Sequence, residues 1–319
     1  MTAGTTPVAA RVRPDVGGEV DFALVDVFTD VALAGNPLAV VPDADALDDA
    51  TLRALAREFN QSETTFLLRP SLAGADWRLR SFTPAGQEVF GVGHNALGAW
   101  WWLADTGRLP LSPSPTTFHQ ELGGRVFPLV VESLNGRPTA IAMGQGAPVF
   151  GAIVQDRAAL ARALGLEFAA LGPADLPAQI VSTGAPHLLV PVLPGALDRA
   201  RPDRAGLRTI LQSHAGEGCY LFALAPDPSA HLADTRFFNP VAGINEDPAT
   251  GSAAGPLACY LIRYRVARSG RVRFAQGAAT GRPSLLEVQV QGESVQLFGR
   301  GVVAAEGIVR GLSTPWRDR

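Results

Sequence analysis

Glu63 stands in Gln61-Ser-Glu-Thr-Thr-Phe66, directly before an apolar run. A carboxylate at the mouth of a buried strand is partly stripped of water. That disfavours its charged form and raises its pKa toward neutrality, which suits a general base or acid. The plainer alternative is a surface glutamate that opens a strand. His94 follows Gly93 and Ser252 follows Gly251, each pair at the start of an expected helix. Such a start offers free N–H groups and a positive dipole end, which suit a carboxylate or other anion. A histidine there can pass a proton or orient a carboxylate; it can equally be a cap or a core residue. Asp247, before Pro248, either caps its turn, holds a polar group of a ligand, or orients His94. Glu63, His94 and Asp247 are therefore the candidate acid/base groups, and Gly93, Gly251 and Ser252 the candidate ligand-binding ones. Asn36 and Gln61 are further residues that can face the same cleft.

The elements that hold these residues occur twice. Arg80-Ser-Phe-Thr-Pro84 matches Arg236-Phe-Phe-Asn-Pro240, and two residues of slippage then bring Glu88 to Glu246 and Gly93 to Gly251. Gly35-Asn-Pro-Leu-Ala-Val-Val-Pro42 matches Gly184-Ala-Pro-His-Leu-Leu-Val-Pro191, and Leu52-Arg-Ala-Leu55 matches Leu207-Arg-Thr-Ile210. Three ordered matches at offsets of about 150 to 158 residues indicate a duplicated unit, not a solenoid. In this alignment Glu63 faces Gly218, so the candidate base is present in one copy only.

Alternation predicts strands at 20–28, 38–41, 63–68, 77–82, 126–132, 140–143, 180–182, 188–192, 272–274, 284–290, 294–298 and 302–309. Helical spacing predicts helices at 48–59 and 156–164, and 94–104 reads as a helix buried on all sides. The Pro- and Ser-rich 109–115 reads as a crossover between units. The expected fold is α+β: two pseudo-symmetric β-barrel-like domains, each wrapped around a central helix. The expected division is a flexible leader at 1–18, a first domain at 19–120 plus 302–319, and a second at 121–301.

With 319 residues and 47% hydrophobic composition the chain can bury a large core. A net charge of −3 offers no basic surface for nucleic acid. No apolar run reaches the roughly 18 residues of a membrane span, and 1–18 lacks the apolar segment of a signal peptide, so a cytoplasmic location is expected. Cys219 and Cys259 form neither a disulfide framework nor a zinc pattern, and no metal site is expected. The chain contains no lysine; every basic residue is arginine. That removes Schiff-base chemistry, pyridoxal phosphate held by its usual lysine, and a P-loop lysine.

Taken together, Val25-Asp-Val-Phe28, Gly35-Asn-Pro37, Ser62-Glu-Thr64, Phe82-Thr-Pro84, Gly93-His94, Gly243-Ile-Asn-Glu-Asp-Pro-Ala-Thr-Gly-Ser252 and Gly281-Arg-Pro-Ser284 resemble the PhzF-like phenazine-biosynthesis family, within the diaminopimelate epimerase-like fold. The resemblance runs from about Val20 to Gly311. It implies a cofactor-free homodimeric isomerase that moves a proton between carbons of a small carboxylate, a dihydro-hydroxyanthranilate in the characterised case. Glu63 would be the proton shuttle. His94, Asp247 and Ser252 would contact or orient the substrate, and the N–H groups of Gly93 and Gly251 would receive it. Two positions depart from the family pattern: Val92 where cysteine is common, and Asn95 where alanine is usual. These leave the glutamate chemistry intact and bear on substrate identity. Epimerases and racemases of the same fold use two cysteines, which would fall at Val92 and Thr250, and neither forms a thiolate. A non-catalytic binder of the same fold is the remaining alternative, and it would leave Glu63 exposed and far from the cleft.

Overall fold

The computed structural model describes residues 18–91 and 93–312. Most of the expected leader, Val92 and the tail from 313 lie outside the described residues. The chain forms a mixed, mostly-sheet fold with few helices, its strands joined in an 18-stranded hydrogen-bonded network.

The order of pairing explains the sequence repeat. Val20–Val27 runs antiparallel to Asn36–Val41, which lies parallel to Glu63–Leu68, which is antiparallel to Trp77–Phe82. Trp77–Phe82 then takes Glu88–Val89 antiparallel and Thr116–Leu122 parallel. The ladder continues antiparallel through Arg125–Leu134 and Arg137–Gln145. The same series recurs later in the chain. Gln179–Ser182 pairs antiparallel with Pro186–Pro191, which is parallel to Gly218–Leu224, which is antiparallel to Ala233–Asn239. Ala233–Asn239 takes Ile244–Asp247 antiparallel and Gly270–Gln276 parallel, and Ser284–Gln291 and Ser294–Gly299 complete it. Two pairings bind the halves: Arg137–Gln145 with Ser294–Gly299, and the returning Gly301–Val309 with Val20–Val27.

The segment 109–115 leads into Thr116–Leu122, which pairs back onto Trp77–Phe82, so it stays within the first ladder and does not cross to a second one. Thr116–Leu122 was not expected as a strand because it is rich in polar residues. Partners distant in sequence satisfy them: Trp100 Nε1 donates to buried Gln120, and Ser71 donates to Glu121.

Two apolar helices are buried against the strands. His94–Asp105 is buried from Asn95 to Ala104, and Gly251–Arg263 is buried at Gly251 and from Ala253 to Leu261. One continuous apolar core takes in both. Gly98 shows how closely the first helix sits on its strands: a Cβ there would lie 2.7 Å from both Leu38 and Val27. The outer helices are ordinary amphipathic ones. Asp49–Phe59 is capped by Asp48, which accepts from Thr51 N–H at 2.9 Å, and it buries Leu52 and Leu55. Arg204–Ser213 is capped by Asp203 and buries Leu207 and Leu211. The repeated arginines are structural. Arg80 grips Glu88 through two hydrogen bonds of 2.8 and 2.9 Å, and Arg236 grips Glu246 through two of 2.8 and 2.7 Å. Among the described residues no helix is long and apolar enough to cross a membrane.

Candidate active site

Glu63 is the first residue of its strand and lies opposite Leu38 on the parallel neighbour. The five residues after it are buried, while its own side chain keeps 20% exposure. Burial pushes its pKa up to about 7. Glu63 is thus neither open to solvent nor remote from the helix start. His94, first residue of the helix, places Nε2 3.2 Å from Glu63 Oε2. The two atoms are close enough to pair as charges, but they are not aligned as a hydrogen bond, and Nε2 stays buried without a hydrogen-bond partner. Burial lowers the His94 pKa, opposed by the charge of Asp247, so the ring is held toward its neutral form.

Asp247 ends the strand Ile244–Asp247 in the other half. Burial is the main cause lifting its pKa to about 6; the charge of Glu63 adds to the rise, while His94 and hydrogen bonds from Thr250 and Asn36 oppose it. Three titratable groups from two halves therefore sense one another. The Thr250 hydroxyl donates to Asp247 Oδ2, and Asn36 Nδ2 donates to Oδ1 at 2.8 Å. Asn36 also donates to the Ala249 carbonyl at 2.8 Å, so it ties the first half to the turn before the second central helix. Gln61, also named from sequence, donates to the carbonyl of Phe59 and so braces its own loop.

The two helix starts differ. Neither Gly93 nor Thr250 caps its helix with a side chain. The N–H of Gly93, expected to receive a ligand, donates instead to Asn95 Oδ1 at 3.0 Å. Asn95 is buried, and its amide nitrogen donates to Ser81 Oγ at 3.1 Å and to the Gly91 carbonyl at 3.2 Å. The donors left open at this end are therefore the N–H groups of the first turn, which have no intrahelical acceptor. At the second start, Gln145 Nε2 donates to the Gly251 carbonyl at 2.9 Å, and Ser252 Oγ lies 3.1 Å from His187 Nε2.

Several supporting residues escaped the sequence reading. Gln276 binds the Asp247–Thr250 turn at three points: it donates to Asp247 O at 2.7 Å and to Thr250 Oγ1 at 3.1 Å, and accepts from Thr250 N at 3.1 Å. Tyr220 fixes its Oε1 by donating at 2.9 Å. Arg282, within a quoted motif but given no role, donates to the carbonyls of Gly35 and Ala34 at 2.8 Å each and to the Asp26 carboxylate. It thereby pins the loop that presents Asn36. Phe28 adopts φ +65°, rare for a bulky residue, and its Cζ would lie 3.2 Å from a Cβ on Gly251. The signal for Arg282 lay in its motif; the others become visible only through contacts distant in sequence.

Thiol chemistry has no footing here. Burial holds the Cys219 thiol far above its usual range and pushes Cys259 up to about 11. Cys219 sits in a buried apolar cluster, and Cys259 lies inside the second central helix.

Residues 25–307 match the profile of the family described as phenazine biosynthesis-like protein. The chain is 35% identical to trans-2,3-dihydro-3-hydroxyanthranilate isomerase of Pseudomonas fluorescens over 92% of this chain and 98% of that protein. It is 32% identical to an uncharacterised isomerase of Clostridium acetobutylicum over 88% of this chain and 94% of that one. Among solved structures, a PhzF-family phenazine biosynthesis protein of Bacillus anthracis superposes with a TM-score of 0.81 at 27% identity, over 91% of this chain and 99% of its own. A hydroxyproline epimerase from Agrobacterium vitis shares the fold, with a TM-score of 0.60 at 14% identity, over 94% of each chain. With its repeat, its carboxylate beside the first central helix and these likenesses taken together, the chain belongs to the phenazine biosynthesis-like PhzF family.

Proposed function

We propose that this chain is a cofactor-independent isomerase that moves a proton between carbons of a small carboxylate-bearing metabolite, with Glu63 as the general acid/base. One observation carries the reading: a carboxylate held near neutral pKa by burial stands 3.2 Å from a buried histidine nitrogen that lacks a hydrogen-bond partner. As a carboxylate, Glu63 takes a proton from carbon. The electrons left in the C–H bond shift into a neighbouring double bond, and Glu63 returns a proton to a carbon further along. A lone base working from one side fits isomerisation; epimerisation needs a second group on the opposite face. His94 and Asp247 hold polar groups of the substrate, and the uncapped first turn at Gly251 and Ser252 receives its carboxylate.

The Pseudomonas fluorescens isomerase named above acts on trans-2,3-dihydro-3-hydroxyanthranilate, a small cyclic amino carboxylate, and we assign this chain a substrate of that class. The two ladders are read as two pseudo-symmetric barrel-like domains. The division at residue 120 would cut the strand Thr116–Leu122, so the proposed seam moves to the turn between Gln145 and Val149. A homodimer in the cytoplasm completes the reading.

The test is turnover of trans-2,3-dihydro-3-hydroxyanthranilate in deuterium oxide. The wild-type chain takes up deuterium at carbon, and Glu63→Gln slows this by about 10²- to 10⁴-fold. Near-wild-type exchange in that variant removes Glu63 from its role.

A further inference from the structure

The second half carries a buried histidine that the mechanism has not used. Pro186–Pro191 lies parallel to Gly218–Leu224 with His187 opposite Gly218, the register that sets Leu38 opposite Glu63 in the first half. His187 therefore occupies the second half's version of the place beside the base. It is 2% exposed, its Nε2 lies 3.1 Å from Ser252 Oγ, and its Nδ1 has no hydrogen-bond partner. The edge-to-face ring of Phe237, 5.0 Å away, braces it. Phe237 in turn fills the space that the missing side chain of Gly218 leaves, since a Cβ there would meet its ring at 2.3 Å.

We propose that His187 is a positioning residue that donates from Nε2–H to Ser252 Oγ, so that the Ser252 hydroxyl proton is turned outward to the carboxylate of the ligand. A neutral imidazole has a single N–H. Placed on Nδ1, it would be a buried donor without an acceptor; placed on Nε2, it meets the one partner within reach. Burial keeps the ring in that neutral form by lowering its pKa to about 4. Ser252 Oγ then accepts from His187, and its own proton must find another acceptor. The uncapped helix start favours an anion as that acceptor. The inference rests on the proposed carboxylate-binding role of this helix start, and it assigns His187 to selecting the anion, not to moving the proton.

Two measurements test it. Long-range nitrogen–proton NMR on the wild-type chain shows the Nε2–H tautomer for His187; an Nδ1–H tautomer overturns the proposal. Calorimetry with anthranilate, a planar amino carboxylate that cannot undergo the reaction, gives affinities independent of turnover. His187→Leu, which installs the residue of the first half, and Ser252→Ala each weaken binding about tenfold. The double variant is no weaker than either single one, and His187→Gln, which restores a donor, recovers most of the affinity. Unchanged binding in folded His187→Leu, or independent losses in the double variant, overturns the coupling. A wild-type chain that binds no anthranilate overturns the carboxylate pocket itself. Anthranilate binding together with no deuterium uptake into trans-2,3-dihydro-3-hydroxyanthranilate refutes the isomerase reading for that substrate and leaves the His187–Ser252 pair standing.

Discussion

The two ladders are built by the same series of pairings, yet only one carries a carboxylate at the start of its third strand, and the reason lies in a pair of exchanged volumes. In the first half, Glu63 shares a sheet face with Thr65 and Ser81. Ser81 is small and hydrogen-bonds Thr65 at 2.9 Å and Asn95 at 3.1 Å, which leaves room for a carboxylate. In the second half, Tyr220 and Phe237 take the places of Thr65 and Ser81, and the Phe237 ring lies where the side chain at 218 would project. Glycine at 218 is therefore required by packing. The second half uses the same location for structure: Tyr220 reaches Gln276, which sets the Asp247–Thr250 turn, and Phe237 braces His187. One half presents Glu63 and His94, and the other presents Asp247, Ser252 and His187. The same series of pairings builds both ladders, and divergence at a few paired positions sets Glu63 apart from Gly218.

The largest effect that can break this comparison is on rate. Glu63 ionises at about 7 and must be charged to remove a proton from carbon, so kcat/KM of the wild-type chain falls about tenfold per pH unit below that value. A profile that stays flat from pH 5 to 9 rules out a base of that pKa. Transplanting the carboxylate as Gly218→Glu does not create a second base, because the new side chain meets Phe237; the expected result is loss of folding, seen as a lost cooperative melt. The next effect is on packing. Phe237→Ala removes a ring that is 3% exposed and contacts His187 and Tyr220, and it costs about 3–5 kcal/mol in denaturant unfolding. Its counterpart Ser81→Ala loses only shared hydroxyl bonds, at about 1–2 kcal/mol. Equal costs at the two positions would mean that the halves do not divide structure and chemistry in this way.

Much of this was legible in the sequence, for identifiable reasons. The strand Glu63–Leu68 and the helix beginning at His94 were read with their starting residues because apolar runs, glycine turns and small residues mark them locally. The repeat was readable because Arg80–Glu88 and Arg236–Glu246 form the same ion pair in both halves. What stayed hidden depends on contacts distant in sequence. Thr116–Leu122 looked too polar for a strand, since its polar residues find partners elsewhere. Val149–Ile153 is mostly exposed and shows no apolar alternation. His187 lay just before the expected strand at 188–192, within the observed Pro186–Pro191, and its one signal was a histidine where the other copy has Leu38. The Arg282 clasp on Ala34 spans 248 residues, so no local pattern could report it. The N–H of Gly93 looked free because the side chain of Asn95 was not expected to turn back onto it.

A smaller effect appears in stability against pH. Folded Glu63 ionises at about 7, whereas an exposed glutamate in the unfolded chain ionises near 4.3. Between these values the folded chain holds a proton that the unfolded chain has released, so stability declines as pH rises through this window. Asp247, lifted to about 6, acts in the same direction. Glu63→Gln removes the larger contribution. It should be more stable than wild type by about 1–3 kcal/mol at pH 8 and nearly equal to it at pH 4. A variant less stable than wild type at pH 8 would show that the Glu63 charge is well solvated after all.

The smallest effect separates the two helix-start glycines, which resemble each other in sequence and differ in their surroundings. A Cβ on Gly251 would lie 2.5 Å from Leu297 Cδ2 and 3.2 Å from the Phe28 ring. Leu297 is 1% exposed, and Phe28 is held in its left-handed conformation by backbone hydrogen bonds of 2.8 Å to Arg300 O and from Leu285 N. Neither can yield cheaply, so Gly251→Ala is destabilised by about 1–2 kcal/mol despite the better helix propensity of alanine. A Cβ on Gly93 meets only Asn95 Oδ1, at 3.4 Å, and its φ of −130° is open to any residue. Gly93→Ala should therefore lie within about 0.5 kcal/mol of wild type. Matched melting curves for the two variants would show that the starts are packed alike. A clear gap between them would place the close packing at the second start, against Leu297 and Phe28, and the tolerance at the first, where Asn95 already occupies the glycine N–H.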